Sequence, residues 1–247
     1  MDLSLLLVYT IIGLVTGFFT GMLGIGGGSI RVPLLSFAGM PLINAFATSM
    51  FAIPFSSLIG AYTQRKNIDW KIAKIFTVGA VLGIIIATVL VGFLSNEILA
   101  LLFFFATLIS IGGLYLNKIN KKLFDYLKPT TVNLFFGGFL GNIIIGLRGG
   151  SGGTLFPPIL YSLEAKMHTA IAVSLFAGFF SSFFALCIYF FRGDILFLPA
   201  VVITITGIIG SYLGSKISMK TDAELLKLIF TIVILIFALL VVHSNFL

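Results

Sequence analysis

Long hydrophobic runs recur along the chain and are separated by short polar stretches. An apolar helix needs roughly 20 residues to cross a bilayer. Several uncharged runs reach about that length, among them residues 3–23, 75–94, 98–116 and 228–242 with its flanks. This pattern predicts a polytopic membrane protein built of helices. Residues 1–2 supply no basic segment and no cleavage site follows, so we expect the first run to be a permanent span.

The composition supports a membrane protein. Hydrophobic residues make up 59% of the chain and charged residues 9%, and the mean hydropathy is +1.19, outside the usual range of soluble domains. Cys187 is the only cysteine, so an intrachain disulfide and a cysteine-built metal site are excluded. No metal site, cofactor or catalytic residue is predicted.

The basic residues lie in short clusters between apolar runs, although the net charge is +7. This arrangement is typical of cytoplasmic loops in membrane proteins and disfavours a nucleic-acid partner. The three clusters are Arg65, Lys66, Lys71 and Lys74; Lys118, Lys121, Lys122 and Lys128; and Lys216, Lys220 and Lys227.

The chain contains an internal repeat. At an offset of 125, "GGSIRVPLL" from Gly27 aligns with "GGTLFPPIL" from Gly152, and "ATSMFA" aligns with "AVSLFA". Further along the offset is 127, which places Gly83 over Gly210. We therefore predict two membrane repeats, residues 1–116 and 130–247, joined by a basic cytoplasmic linker at 117–129 within one integrated membrane domain.

The charges of equivalent loops predict the relative orientation of the repeats. The loop around residues 65–74 has four basic residues, whereas its counterpart near Arg192 has one, balanced by Asp194. The next pair of loops shows the reverse, so the repeats are expected to be inverted. Inversion needs an odd number of elements per repeat. The predicted fold is all-α, with about four long spans and one short half-helix, at residues 30–40 or 155–163, in each repeat.

Both predicted half-helices follow a glycine-rich break, "GIGGGS" from Gly24 and "GGSGGT" from Gly149. Irregular backbone at membrane depth is tolerated where it lines a site, and a helix N-terminus favours an anion. Ser29 and Thr154 follow the glycines, and we expect their hydroxyls to cap the half-helices. Close helix packing is the alternative explanation of the glycines. The predicted substrate-binding residues are Gly26, Gly27, Gly28, Ser29, Arg31, Ser49, Arg148, Gly150, Ser151, Gly152, Gly153, Thr154 and Ser174.

The charged residues also favour an anionic substrate. None of the eight acidic residues falls in the middle of a predicted span, which disfavours a carboxylate cation site. Arg31 and Arg148 flank the glycine breaks, and a cation near the membrane interior is a functional-site candidate. We favour Arg148 as a bidentate ligand of an oxyanion. Arg31 is either a second ligand or a topology anchor that reaches the headgroups.

These motifs resemble the TauE/SafE sulfite exporter family, also called the toluene sulfonate uptake permease family. The resemblance covers essentially the whole chain, through "GFFTGMLGIGGGSIRVPLL", "ATSMF", "KNIDW" and the second copies "RGGSGGTLFPPIL", "AVSLF" and "RGDILF". It implies secondary transport of sulfite, thiosulfate or an organosulfonate across a bacterial or archaeal cytoplasmic membrane. The chain differs from the family's usual pattern at Ile30, Arg31 and "RGDILF", and these differences concern the substrate rather than the fold.

Other function classes fit the sequence less well. A transporter of another small anion and an anion channel remain alternatives, whereas a cation carrier would need an intramembrane carboxylate. A membrane enzyme would need a nucleophile with a base or a cluster of metal ligands, and two histidines and one cysteine do not supply these. The expected partners are a small anionic substrate and membrane lipid. A coupling ion such as a proton, the direction of transport and the oligomeric state stay open.

Overall fold

The computed structural model describes residues 3–91, 96–147 and 150–246, and this part of the chain forms α-helices joined by short connections. The prediction of an all-helical fold is confirmed. In chain order the helices are α1 (Leu3–Leu23), α2 (Gly28–Phe37), α3 (Leu42–Thr63), α4 (Trp70–Leu90), α5 (Asn96–Leu114), α6 (Leu116–Ile119), α7 (Lys121–Tyr126), α8 (Thr131–Gly146), α9 (Phe156–Ser162), α10 (Met167–Arg192), α11 (Phe197–Ser218) and α12 (Ala223–Phe246).

Five described helices, α1, α3, α4, α10 and α11, are long and apolar enough to cross a membrane. This confirms the prediction of a multi-pass membrane protein. Helix α1 has the bounds of the first apolar run, whereas α4 begins before the predicted residue 75. It starts earlier because the carboxylate of Asp69 caps it, accepting hydrogen bonds from the N–H groups of Lys71 at 2.9 Å and Ile72 at 3.2 Å.

Helices α2 and α9 occupy the two segments predicted as half-helices. They have 10 and 7 residues. At 1.5 Å per residue they are roughly 15 Å and 10 Å long, too short to cross the hydrocarbon core of a bilayer. Helix α2 begins at Gly28, two residues before the predicted start, so Ser29 lies inside its first turn.

Helices of the first half of the chain pack mainly against helices of the second half. Helix α1 packs along α11, and α8 packs along α4. Under the repeat offsets α1 corresponds to α8 and α4 to α11, so these two interfaces are equivalent. Helix α3 packs against α10, its own counterpart, and α5 against α12. The largest contacts of the molecule therefore join one half to the other.

The order of the contacts gives the helix directions. Gly13, Gly17 and Gly21 of α1 face Ile203, Gly207 and Ser211 of α11 in ascending order, so these helices run parallel. Gly79 and Gly83 of α4 likewise face Phe135 and Phe139 of α8. In contrast, Gly60 of α3 faces Leu175 of α10 while Ser57 faces Gly178, so α3 and α10 are antiparallel.

Candidate functional site

The first glycine break connects α1 to α2 through backbone that favours glycine. Gly24, Gly26 and Gly27 have φ values of 72°, 66° and 74°, in the left-handed region. Gly27 precedes α2 and no side chain caps the helix, so the predicted capping role of Ser29 is wrong. The first N–H groups of a helix have no partner within it, and here they lie beside the break.

The second glycine break lies between α8 and α9 and is held by an amide side chain. Asn142 of α8 donates to the carbonyl of Ala80 at 2.8 Å and accepts a hydrogen bond from the N–H of Gly152 at 2.8 Å. Leu155 precedes α9, which has no side-chain cap, and Oγ1 of Thr154 has no described partner. The predicted capping role of Thr154 is therefore also wrong. Arg148 and Gly149 lie outside the described residues.

The two breaks lie against each other. A β-carbon on Gly26 would overlap the carbonyl oxygen of Ser151, and one on Gly153 would lie 3.0 Å from Oγ of Ser29. Helix α10 holds both breaks, because Ser174 donates to the carbonyl of Gly24 at 2.6 Å and the hydroxyls of Ser151 and Ser181 are 2.6 Å apart. Glycine is thus required here for the approach of the two backbones as well as for the dihedral angles.

Arg31 is the charged residue that the structure places beside the first break. Its side chain is 0% exposed. Nε donates to Oγ1 of Thr16 at 3.1 Å, and Nη1 donates to the carbonyl of Ser49 at 3.3 Å. A β-carbon on Gly27 would lie 3.1 Å from Nη2, so the guanidinium faces the open backbone of the break. Because the side chain is fully buried, it fits a ligand role better than the alternative of an anchor that reaches the headgroups.

The charge of Arg31 is not balanced within the described residues. No described carboxylate forms an ion pair with it, and Nη2 has no described hydrogen-bond partner. Oγ of Ser49 and Oγ of Ser56 are also buried without a described partner. A buried cation without a countercharge is costly, so this arrangement suits an anion that binds against Nη2 and these hydroxyls.

The two repeats differ at the position of the cation. Phe156 of α9 corresponds to Arg31 under the offset of 125. Its ring packs against Phe76 with centroids 4.7 Å apart, and it lies beside Gly152 as Arg31 lies beside Gly27. The described part of the site is therefore asymmetric in charge, with the cation in the first repeat.

The structure brings most of the predicted site residues together and adds others. Both glycine breaks, Arg31, Ser49 and Ser174 lie in one buried region. Asn142 and Thr16 were not predicted from the sequence. Asn142 had a usable signal, because it is an amide in the middle of the apolar run "FLGNIIIG". Thr16 had none, since threonine is common in membrane helices and often bonds to its own helix.

Comparison with known proteins gives matches along nearly the whole chain. Residues 9–241 match the family model "Sulfite exporter TauE/SafE". The chain is similar to proteins named "Probable membrane transporter protein" from Haemophilus influenzae (25% identical, covering 96% of this chain and 97% of the relative) and YunE from Bacillus subtilis (27%, covering 96% and 97%). A relative with the same description from Methanocaldococcus jannaschii is 28% identical, covering 92% of this chain and 91% of the relative. No solved structure matches the chain.

Proposed function

Because this chain belongs to the sulfite exporter TauE/SafE family of membrane transporters, we propose that it is a secondary transporter of a small sulfur-containing anion. The proposed substrate is sulfite, thiosulfate or an organosulfonate, carried across the cytoplasmic membrane. The observation that supports a negatively charged substrate is that the guanidinium of Arg31 is fully buried and has no described carboxylate partner.

The proposed site lies where the two glycine breaks meet. Nη2 of Arg31 provides a charge-assisted hydrogen bond to an anionic oxygen. The first N–H groups of α2 and the positive end of its dipole support the same oxygen, at typically ~0.3 to 1 kcal/mol. The hydroxyls of Ser29, Ser49 and Thr154 supply neutral donors. Arg148, beside the second break in the sequence, remains a proposed additional ligand.

A carrier is favoured over a channel by the burial of the site. Arg31, Ser49, Ser56 and Ser151 are each 0% exposed, so no opening leads to them in this conformation. A channel needs a continuous aqueous path in its open state, whereas a carrier encloses its site and opens it to one side at a time.

We also propose that the repeats 1–116 and 130–247 are inverted with respect to each other. The parallel pairs α1 with α11 and α4 with α8, and the antiparallel pair α3 with α10, support this arrangement. A membrane helix followed by a short loop must return, so α4 opposes α3 and α11 opposes α10. Consequently α1 opposes α8, α3 opposes α10 and α4 opposes α11, as inversion requires.

The test is flux in proteoliposomes. Purified protein is reconstituted, and uptake of radiolabelled sulfite, thiosulfate and taurine is measured against a labelled amine of similar size. We expect saturable uptake of at least one sulfur anion and none of the amine. Uptake of the amine, or of none of the sulfur anions while another anion is carried, would overturn the assignment of the substrate class.

A further inference from the structure

A buried line of polar side chains leads away from Arg31 between α1, α3 and α11. Ser56, Gln64, Ser211, Ser215 and Ser218 are all 0% exposed. On α11 the serines are spaced by four and three residues, so they share one face of the helix. Ser56 of α3 and Gln64, which directly follows α3, are eight residues apart and also lie on one face. We call these five residues the inner track.

Hydrogen bonds and close contacts make the inner track continuous. A β-carbon on Gly207 would lie 2.9 Å from Oγ of Ser56 and 3.8 Å from Nη2 of Arg31, so both side chains face the same point of α11. Ser211 donates to the carbonyl of Ser56 at 2.6 Å. Further along, Ser215 and Gln64 both donate to the carbonyl of Gly21, at 3.2 Å and 2.8 Å.

Three polar atoms of the inner track have no described partner: Oγ of Ser56, Oε1 of Gln64 and Oγ of Ser218. Nη2 of Arg31, where the track begins, has none either. Buried polar groups are normally satisfied by protein or by water. A line of unsatisfied donors and acceptors is therefore suited to water or to a polar solute that passes along it.

Helix packing alone does not require these serines. In the equivalent interface between α4 and α8, the positions of Ser211 and Ser218 are occupied by Ile84 and Val91 under the offset of 127. Both interfaces pack through glycine contacts, so the fold accepts large apolar residues at these points. Ser215 corresponds to Thr88, also a buried polar residue, so the polar character that is specific to the α1–α11 side lies at Ser211 and Ser218.

The inner track ends among basic residues. Gln64 is followed by Arg65 and Lys66, and Ser215 by Lys216. Arg65 stacks on Tyr62 at 4.5 Å and Lys216 on Tyr212 at 4.3 Å, which holds the cations at this end of the helices. Positive charge at the mouth of a narrow path concentrates anions there.

We infer that the inner track is the permeation pathway between the Arg31 site and the cytoplasmic face, closed in this conformation and hydrated when it opens. The inference rests on the proposed function for the Arg31 site, the permeating solute and the side of the membrane to which the track leads.

Cysteine accessibility tests the pathway. In a Cys187→Ser background, Ser211→Cys and Ser215→Cys are nearly isosteric changes in the inner track. Leu213→Cys is the matched control, at the same depth of α11 but 49% exposed on its outer side, toward lipid. Everted membrane vesicles are treated with the membrane-impermeant anion sulfonatoethyl methanethiosulfonate, and the rate of modification is measured.

We expect both track cysteines to react at least about tenfold faster than the control, because the thiolate forms in water and not in hydrocarbon. The pathway would be overturned if the track cysteines reacted no faster than Leu213→Cys. Full reaction of the same protein after denaturation is the control that the thiols are intact. A cationic methanethiosulfonate separates the two proposals. Each rate is taken relative to that of the same reagent with a free thiol in solution. Equal relative rates would support the pathway and contradict anion selectivity, whereas a preference for the anionic reagent supports both.

Discussion

Arg31 has to remain inside the protein without a carboxylate partner among the described residues. Its hydrogen bonds to Thr16 and Ser49 use two of its three nitrogens, and Nη2 remains for a ligand. A guanidinium that served only as a brace would be expected to satisfy all of its donors. The unpaired nitrogen therefore separates a binding role from a structural one.

Replacement of Arg31 tests these two roles directly. We expect Arg31→Met to weaken the apparent affinity for the transported anion about ten- to a hundredfold, since a charge-assisted hydrogen bond contributes about 1.5 to 3 kcal/mol. The thermal unfolding midpoint should stay unchanged or rise, because the cost of an uncompensated buried charge is removed. The measurements are concentration-dependent flux and thermal unfolding in detergent.

Arg31→Lys is the matched variant. It keeps the charge but loses the planar fork, so an intermediate affinity is expected. A binding role would be contradicted if Arg31→Met lowered the unfolding midpoint while the concentration dependence of flux stayed as in the unmodified protein.

Asn142 positions the second break through two buried hydrogen bonds. Asn142→Leu keeps the approximate volume but leaves the N–H of Gly152 and the carbonyl of Ala80 without that partner, at about 1 to 3 kcal/mol for each group. We expect a lower unfolding midpoint and reduced flux. Asn133→Leu on the same helix is the control, because its exposed hydrogen bond to Lys128 can be replaced by water. Equal effects of both variants would argue against a special role of Asn142.

At the scale of single residues, the sequence predicts which residue types form the candidate site better than it predicts where their side chains lie. The glycine breaks are recognisable because five glycines within a membrane protein disturb the apolar pattern. The depth of Arg31 is not recognisable, since it depends on α2 turning back between α1 and α3. The capping predictions for Ser29 and Thr154 failed because a left-handed glycine begins α2 and Leu155 precedes α9.

At the scale of helices, the equivalent interfaces α1 with α11 and α4 with α8 depend on glycine. A β-carbon on Gly83 would overlap the carbonyl oxygen of Phe139, and one on Gly210 that of Leu14. Close backbone approach of this kind is typical of packing through small residues in membranes. The repeat alignment predicts that Gly83 and Gly210 are equivalent, but not which helices they contact, because the partners come from opposite halves.

Alanine at these two glycines should separate the helices. We expect Gly83→Ala and Gly210→Ala each to destabilise the protein by about 1 to 3 kcal/mol through overpacking. The control is Gly112→Ala in α5, where a β-carbon would meet nothing within 4 Å. Alanine favours a helix over glycine by about 0.8 to 1.0 kcal/mol, so this variant should be neutral or more stable. The packing role would be contradicted if Gly112→Ala lowered the unfolding midpoint as much as Gly83→Ala and Gly210→Ala do.

At the scale of the whole molecule, charge distribution predicts the topology. Basic residues concentrate around the connection of α3 to α4, in the segment of α6 and α7, and around the connection of α11 to α12. The inverted arrangement therefore places residues 117–128 in the cytoplasm and both termini outside. A reporter fused after Leu247 should be active on the outer side, and one inserted at residues 117–128 on the inner side. A cytoplasmic C-terminus would favour a parallel arrangement with eight spans.

The sequence predicts the duplication but not the interleaving of the two halves. Aligning the sequence with itself pairs each helix with its counterpart in the other repeat, but it does not show which helices pack against each other. Lys227 illustrates the difference. Its place in a basic cluster is typical of a loop lysine, yet it lies in α12, where it is 4% exposed and donates to Tyr161 of α9 at 2.6 Å and to Glu224 at 2.7 Å. The contact with Tyr161 is not visible in the sequence pattern.

The pairing of α1 with α11 has a consequence for biosynthesis. Helix α1 has no permanent neighbour along its glycine face until residues 197–218, which form α11, have been made. At about 5 to 20 residues per second, that interval is roughly ten to forty seconds. During it, the insertion machinery or a chaperone must shield Thr16, Thr20 and the exposed backbone. Premature termination before residue 197 should therefore direct the nascent chain to degradation, whereas a second polypeptide carrying α8 to α12 could rescue it by supplying the missing helix.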